Sequence, residues 1–486
     1  MPDALALTAD TLAHDWRLLI GGKLVPAKAT YENPSPVTGK VIAHVPDAGS
    51  QEVDAAVTAA SQGFPAWAAT PIAERAAIVR QIAARVRENA AELAALDTLD
   101  GGNIIRLAQD DVHRGAEMLE YFADIARALT GDTVPVTADA LHFTTHQPIG
   151  VVARIIPYNH PIMFAAGKIA APLVAGNSVI LKAPHQTPLS ALRLGELVAD
   201  LLPEGVLSIL TGSGPATGDA IVRHPDVRRI AFIGSARTGL IIQRAAAETS
   251  VKHVTLELGG KNAMVAFPDA DPAEVAQSVV HGMNFSWSGQ SCGSTTRLVV
   301  HEDIRPQVVA EVARLAGGLR VGDPFDPATD VGTLVSQDQF DKVTGYLEIA
   351  RGEGASVAAG GSPVPGTALA VEPTVFTDVT PDMRIAQEEV FGPVLSVLSF
   401  RDEAEAVRIA NSVEYGLTGS VWTNDLRRAH RVANALEAGY VWINGSSTHY
   451  VGTPFGGVKS SGIGREECLE ELLSFTETKA VHISYA

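Results

Sequence analysis

Cys292 sits in Gly289-Gln290-Ser291-Cys292-Gly293-Ser294, where small and polar neighbours leave room for a substrate to approach the sulfur. A thiolate attacks carbonyl carbon readily once a nearby base or a lowered pKa supplies it. The competing reading is a buried structural cysteine. Glu257 lies in Thr255-Leu256-Glu257-Leu258-Gly259-Gly260-Lys261, at the end of an apolar run. Burial there raises a carboxyl pKa toward that of a general base, unless the group caps a helix or pairs with Lys261. Two Gly-rich turns offer main-chain N–H groups to a phosphate: Gly212, Gly214 and Gly218 in TGSGPATG, and Phe232-Ile233-Gly234-Ser235 with its hydroxyl. The spacing of the first is one residue longer than the dinucleotide fingerprint. Lys182 closes another apolar run, as a donor to a nucleotide or as an ordinary solvated lysine.

Such groups need a frame. From Val151 to Leu258 short β-branched runs alternate with helical stretches, which predicts strands at Val151–Ile156, Ser178–Leu181, Val206–Leu210, Arg229–Ile233 and His253–Leu258. Strands apolar throughout and separated by helices imply a largely parallel sheet covered on both faces, with ligands beyond the carboxyl ends. A second α/β series follows Gly259-Gly260, with strands expected at Ala263–Phe267, Arg297–Val300, Val394–Phe400, Ser420–Trp422 and Tyr440–Ile443. No low-complexity linker divides the two series, so a cleft is expected between them.

Upstream, Thr70 as N-cap and Pro71 at the first helical position predict a helix to Gly101-Gly102, with Ile72, Ala76, Val79, Ile82, Val86, Ala90 and Leu93 on one face. A second helix carries Met118, Leu119, Phe122, Ile125 and Leu129 before Gly131. Alternating Val481, Ile483 and Tyr485 predict a terminal strand, which at a sheet edge would pair with another subunit.

Composition narrows the function. The 486 residues, 46% hydrophobic and 19% charged, are those of a folded soluble protein of two to four domains at roughly 100 to 200 residues each. With 37 Lys+Arg against 55 Asp+Glu and no basic run, the net charge of −18 argues against a nucleic-acid surface. Two cysteines build neither a disulfide framework nor a zinc cluster, and fourteen histidines show no metal-ligand spacing, so no metal is expected. Cys468 stands among Glu466, Glu467 and Glu470, an acidic setting that leaves a thiol inert. The first residues lack a signal peptide, and the apolar stretch Ile162–Leu181 is interrupted by Lys168 and Asn177, so no membrane span is expected. A cytoplasmic enzyme is the expectation.

Seven motifs follow in order: Pro157-Tyr158-Asn159-His160-Pro161, Leu181-Lys182, Phe232-Ile233-Gly234-Ser235, Glu257-Leu258-Gly259-Gly260-Lys261, Gly289-Gln290-Ser291-Cys292, Glu388-Glu389-Val390-Phe391-Gly392-Pro393 and Pro454-Phe455-Gly456-Gly457-Val458-Lys459-Ser460-Ser461-Gly462. Over nearly the whole chain this resembles the aldehyde dehydrogenase superfamily, NAD(P)-dependent and non-acylating. The resemblance implies a Rossmann-like cofactor domain (residues 1–130 and 150–257), a second α/β catalytic domain (258–465) and a small β oligomerisation arm (131–149 and 466–486). It makes Cys292 the nucleophile, Glu257 the general base, and Asn159 with the Cys292 main-chain N–H the oxyanion site. It places Lys182 and Glu389 on the cofactor riboses, Ser235 at the pyrophosphate and Phe391 beside the nicotinamide. Ile156, Pro157, Tyr158, His185, Gly214, Phe232, Gly234 and Leu258 complete the cofactor site, and Phe164, Gly167, Trp287, Ser291, His449 and Phe455 line the substrate entrance.

The implied reaction is thiolate addition to an aldehyde, hydride transfer to NAD or NADP, and hydrolysis of the thioester by a water that Glu257 activates. The implied partners are a small aldehyde and further copies of the chain, as a homodimer or homotetramer. Two departures from the family stand out. The acidic residue three positions after the cofactor lysine is here His185, which does not repel a 2′-phosphate, so NADP is expected to be tolerated beside NAD. The aromatic after the first proline of the asparagine motif, usually Trp, is Tyr158. The entrance is expected to be apolar and aromatic, opened by Gly167, and no Lys or Arg occurs from Asn284 to Thr296 or from Gly445 to Val458. A medium-sized apolar or aromatic aldehyde is therefore expected over a carboxylate-bearing one. Three rivals stay open: a CoA-acylating relative, which would typically lack the Glu257 base; a silent structural or binding homologue; and a thiol hydrolase without cofactor.

Overall fold

The computed structural model describes residues 4–485; positions 1–3 and 486, which the expected domain limits include, lie outside them. In the first sheet five parallel strands, Val151–Ile155, Ser178–Lys182, Leu207–Leu210, Val227–Gly234 and His253–Leu258, lie in the spatial order three, two, one, four, five. The order reverses between Val151–Ile155 and Val227–Gly234, and at such a point the connections leave in opposite directions and open a crevice at the carboxyl ends. Helices cover both faces, so the first two of these strands are buried at every position, which is why they are apolar runs without alternation. Antiparallel Leu18–Ile20 and Lys23–Val25 extend one side, and Gly462–Ile463 closes the other against His253–Leu258. That last pairing departs from the expected allotment of 258–465 to a separate domain.

The second sheet has seven strands, in the order Ser356–Ala359, Thr374–Thr377, Val394–Phe400, Arg297–His301, Ala263–Ala266, Thr418–Trp422 and Tyr440–Ile443. All neighbours are parallel except the first pair. Ser356–Ala359 and Thr374–Thr377 escape sequence reading because one is exposed and both are short. Successive side chains alternate between faces, so Ala263 and Val265 join one core and Met264 and Ala266 the other.

The upstream helices start elsewhere than expected. Thr70 closes a preceding helix, Ser50–Ala69, where its N–H bonds Trp67 O and its hydroxyl bonds Ala66 O at 2.9 Å. No N–H of Ile72–Glu88 bonds a capping side chain, so Thr70 is no N-cap for that helix, and Pro71 holds that place. The run to Gly101 is broken at Asn89, whose amide reaches back to Arg85 O at 2.8 Å, and a new helix runs Ala90–Gly101. The second expected helix is Ile105–Asp124; it ends sooner than expected, with Ile125 in a short 3-10 turn, Ile125–Ala128, and Leu129 after it.

The terminal strand Thr476–Ser484 finds its partner within the chain, pairing antiparallel with Ala140–Pro148 so that Val481 faces Phe143 and Ile483 faces Leu141. This ribbon begins at Thr476, not at residue 466: the helix Leu469–Ser474 intervenes, and Leu472 and Phe475 are buried in the core of the first sheet. Among the described residues no helix is long and apolar enough to cross a membrane.

Candidate active site

Two cavities meet at Cys292. One, of about 220 Å³, is lined by Pro157, Tyr158, Asn159, Phe164, Gly234, Ser235, Glu257, Leu258, Glu389 and Phe391. The other, of about 260 Å³, carries Phe164, Trp287, Ser291, His449 and Phe455. Cys292 and Glu257 belong to both walls. The first cavity lies where the strand order reverses, because Pro157 to Asn159 continue Val151–Ile155 and Ser235 continues Val227–Gly234.

The cysteine rides on a tightly wound loop. Asn284, Ser288 and Gly289 take left-handed backbone angles, φ 54°, 52° and 67°, around the short turn Phe285–Trp287. A Cβ at Gly289 would stand 2.1 Å from the Gly392 carbonyl oxygen, so only glycine lets this loop press against Phe391-Gly392-Pro393. Asn262 fixes the other side. Its Nδ2 donates to Cys292 O at 2.7 Å and Ser294 O at 2.9 Å, while its Oδ1 accepts from the Thr418 N–H at 3.0 Å. Sequence reasoning missed Asn262; its one signal is an amide placed directly after Leu-Gly-Gly-Lys. Cys292 is a free, half-buried thiol, and burial, then the carboxylates of Glu257, Glu389 and Glu467, push its pKa well above that of an ordinary cysteine. Its own main-chain N–H faces the sulfur and opposes that rise.

Glu257 is 5% exposed, its Oε1 has no hydrogen-bond partner among the described residues, and burial followed by Glu466 raises its carboxyl well above the usual range. Neither bland alternative holds. Glu257 lies within a strand, not at a helix cap, and Lys261 does not pair with it: Lys261 Nζ is buried without a partner, and burial and then Arg297 push its amine down to about 7. Ser461 bolts the strand end, its hydroxyl donating to Gly259 O at 2.8 Å and its carbonyl accepting from the Leu258 N–H at 2.9 Å. Beneath Glu257, Glu466 accepts from Lys168 at 2.9 Å and Arg154 at 2.8 Å. Burial alone would raise Glu466, but these two cations hold it below the usual carboxylate range.

On the first cavity's side, Glu389 Oε1 accepts from the Gly260 N–H at 3.0 Å, and a Cβ at Gly259 would stand 2.1 Å from the other Glu389 oxygen. Phe391 holds φ 55°, a strained angle for a bulky residue, fixed by Gln339 donating to its carbonyl at 2.7 Å; its ring meets Tyr158 edge-on at 5.9 Å. Gln339 and Lys342, which also line the cavity, were not foreseen. Ile156, Lys182 and Phe232 lie buried at the same strand ends, the Ile156 N–H donating to Lys182 O at 3.2 Å. Lys182 is not the solvated lysine that was open: it is 5% exposed, without a hydrogen-bond or ion-pair partner among the described residues, and burial lowers its amine to about 8. His185 is exposed and stacks on Tyr31 at 4.0 Å, beside a separate cavity. Gly214 lines neither cavity at Cys292; it opens a single π-turn, and the helix after it is only Asp219–Arg223. Ser235 instead caps the twelve-residue helix Ala236–Ala247, accepting from the Thr238 N–H at 3.3 Å.

The second cavity departs from expectation twice. Gly167 does not open it: Gly167 is buried at the end of Pro161–Gly167, where a Cβ would meet Met118 Sδ at 2.7 Å, so its smallness serves helix packing. Nor is the wall simply apolar and aromatic, because Asp110, Asp111, Arg114, His160, Lys168, Asn284, Glu466 and Glu467 share it. The missing cations therefore arrive from distant segments, although Arg114 is engaged by the His449 carbonyl and Lys168 by Glu466 and Glu467. Cys468 is buried, and burial raises its thiol further from reactivity.

Residues 24–481 match the model of the aldehyde dehydrogenase family. The aldehyde dehydrogenase tropH of Talaromyces stipitatus is 46% identical over 465 residues, covering 93% of this chain and 90% of that protein. The NAD+ complex of an aldehyde dehydrogenase from Bacillus cereus superposes with a TM-score of 0.96 at 39% identity, covering 98% of each chain. A mutant indole-3-acetaldehyde dehydrogenase of P. syringae, in complex with NAD+ and IAA, does so with a TM-score of 0.96 at 36% identity over 100% of both chains. With this fold, this cysteine between two cavities and these relatives, the chain belongs to the aldehyde dehydrogenase family.

Proposed function

We propose that the chain oxidises a medium-sized, neutral, apolar or aromatic aldehyde to its carboxylic acid, using NAD or NADP, through a thioester on Cys292. The observation that carries this reading is the convergence of two cavities on one thiol beside a buried, unpaired carboxylate oxygen of Glu257. A pyridine dinucleotide fits the first cavity's surroundings. Lys182 is a buried cation without a partner among the described residues, Ser235 caps a helix N-terminus, and Glu389 is held at the cavity wall by the Gly260 N–H. Lys182 and Glu389 would hold its riboses, Ser235 its pyrophosphate, and Phe391 with Tyr158 its nicotinamide. When bound, that group would supply the hydride acceptor and a cationic ring beside a thiol that burial, and then the nearby carboxyl groups, hold protonated.

The chain's own residues do the rest. The Cys292 thiol gives its proton to solvent as its sulfur bonds to the aldehyde carbon, and the developing oxyanion is met by the Asn159 amide and the Cys292 N–H, each donor contributing about 3 to 4 kcal/mol. Loss of hydride leaves the thioester. Glu257 then takes a proton from water as its oxygen attacks, the C–S bond breaks, and acid and thiol are released. NAD is the preferred dinucleotide and NADP is tolerated: His185 carries no fixed negative charge, whereas Asp47 lies close enough to Lys182 to act on its amine. The same reading assigns the first sheet to the cofactor, the second to catalysis, and the ribbon Ala140–Pro148 with Thr476–Ser484 to a homodimer or homotetramer in the cytoplasm. Absorbance of reduced cofactor across an aldehyde panel, with the acid identified in the absence of CoA, tests it. Failure of every aldehyde with both dinucleotides overturns it, and a product that forms only with CoA moves the enzyme to the acylating class.

A further inference from the structure

The second cavity holds an Asp–His pair that the oxidation itself does not use. His160 Nδ1 lies 2.9 Å from Asp111 Oδ2 and 3.2 Å from Oδ1. Asp111 sits on the helix Ile105–Asp124 and is buried, and the His160 side chain is 13% exposed. The imidazole is flanked by Trp287, with centroids 4.4 Å apart, and by Phe164 at 5.6 Å. All four side chains line the cavity that ends at Cys292. Burial raises the Asp111 carboxyl and contact with His160 opposes that rise; as a carboxylate Asp111 can only accept, so with the imidazole neutral it holds the His160 proton on Nδ1 and leaves Nε2 as a lone-pair acceptor. Among the described residues no donor meets that Nε2. His449 faces the same space from the other side: its Nε2 lies 3.6 Å from where a Gly293 Cβ would stand, next to the nucleophile, and Phe455 packs on its ring at 4.6 Å.

We propose that the Asp111–His160 pair selects aromatic aldehydes that carry a ring hydroxyl, the hydroxyl donating to His160 Nε2 while the ring lies against Trp287 and Phe455. This rests on the aldehyde-oxidising reading above. His160 directly follows Asn159, so the groups that would hold the hydroxyl and the carbonyl oxygen are consecutive in one rigid segment. A carboxylate substituent suits the site poorly, because a lone-pair acceptor cannot bond it and the wall carries Asp110, Asp111, Glu257, Glu466 and Glu467 against Arg114 and Lys168. An unsubstituted ring fills the cavity but leaves a desolvated acceptor unpaired, and sites built to bond a hydroxyl discriminate strongly against analogues without one.

The test compares kcat/KM for 3- and 4-hydroxybenzaldehyde with the matching methoxybenzaldehydes, which keep the electron donation but lack the proton, at about pH 7 where the phenol is largely protonated. Benzaldehyde serves as the common reference. The better hydroxyl isomer is expected to exceed its methoxy partner about tenfold, mainly in KM. His160→Phe should lower that ratio at least about fivefold. Asp111→Asn should lower it too, because an amide N–H can donate to Nδ1 and shift the proton to Nε2, turning the acceptor into a donor that favours methoxy. Melting temperatures report whether each variant folds, and Asp111→Asn decides the matter if His160→Phe does not. A wild-type ratio below about fivefold for both isomers, or a ratio unmoved in the folded variants, overturns the proposal while benzaldehyde turnover leaves the oxidation reading intact. If no aldehyde is oxidised at all, both fall together.

Discussion

The two cavities that share Cys292, Glu257, Phe164 and Ile233 are assembled in different ways. The first is made largely from strand ends and the turns directly after them: Pro157 to Asn159, Gly234-Ser235 and Leu258-Gly259 each continue a parallel strand of one sheet. The second gathers side chains from unrelated segments, the helix Ile105–Asp124, the cysteine loop, Ser447 to His449, and Glu466-Glu467. A sheet edge fixes positions closely, which suits a group that must be met the same way in every turnover. Scattered helices and loops can change one side chain at a time without disturbing the thiol, which suits selection among substrates.

Substitutions can break this contrast or sharpen it. The largest effect belongs to the shared wall: Cys292→Ser should lower aldehyde oxidation at least about 10³-fold by cofactor absorbance, with dinucleotide binding by fluorescence retained. Glu257→Gln, also shared, should cost about 10² to 10³-fold in steady-state kcat while one equivalent of reduced cofactor still forms in a burst, because only deacylation needs the base. Since Glu257 is raised by burial and then Glu466, wild-type deacylation should fade as pH drops through that raised value, and the variant should lose this acid limb. The stability sign is the reverse. The folded state holds the Glu257 proton more tightly than the unfolded chain, so its contribution is full at low pH and lost as pH rises through the folded value; the melting temperature of Glu257→Gln should therefore gain on wild type as pH increases.

Asn262→Ala releases the loop that presents the thiol and should lower kcat/KM about 10 to 100-fold for every aldehyde alike, a loss of placement and not of selection. Lys182→Ala touches one side only: KM for NAD should rise about tenfold with KM for the aldehyde unmoved, and a matching rise in aldehyde KM would dissolve the separation of the two cavities. The smallest effect is that of Gly167→Ala, whose added methyl meets Met118 and should cost about 1 kcal/mol of stability in denaturant titration, with the aldehyde preference order unchanged.

The same contrast explains what was legible in the sequence. The parallel strands were visible because burial on both faces leaves uninterrupted apolar runs, and Cys292, Glu257, Asn159 and Ser235 were visible because each sits in a contiguous motif beside its own element. Thr70 misled because a hydroxyl that caps one helix can equally close the one before it, and Ser50–Ala69 hid behind an internal Pro65. Gly167 misled because a glycine opens space or permits contact depending on what stands opposite, here Met118, and sequence does not say which. Asp111, Arg114 and Glu467 carry no local mark of their place near the thiol, since long-range folding alone brings them there.

Gly462–Ile463 pairs with the strand that bears Glu257, and Ser461 ties its end. On the ribosome, everything from Lys261 to Ser460 must emerge before that outer neighbour arrives, an interval on the order of 10 to 40 seconds at common elongation rates. Throughout it a nascent protein displays an open β edge, a natural point of capture for chaperones.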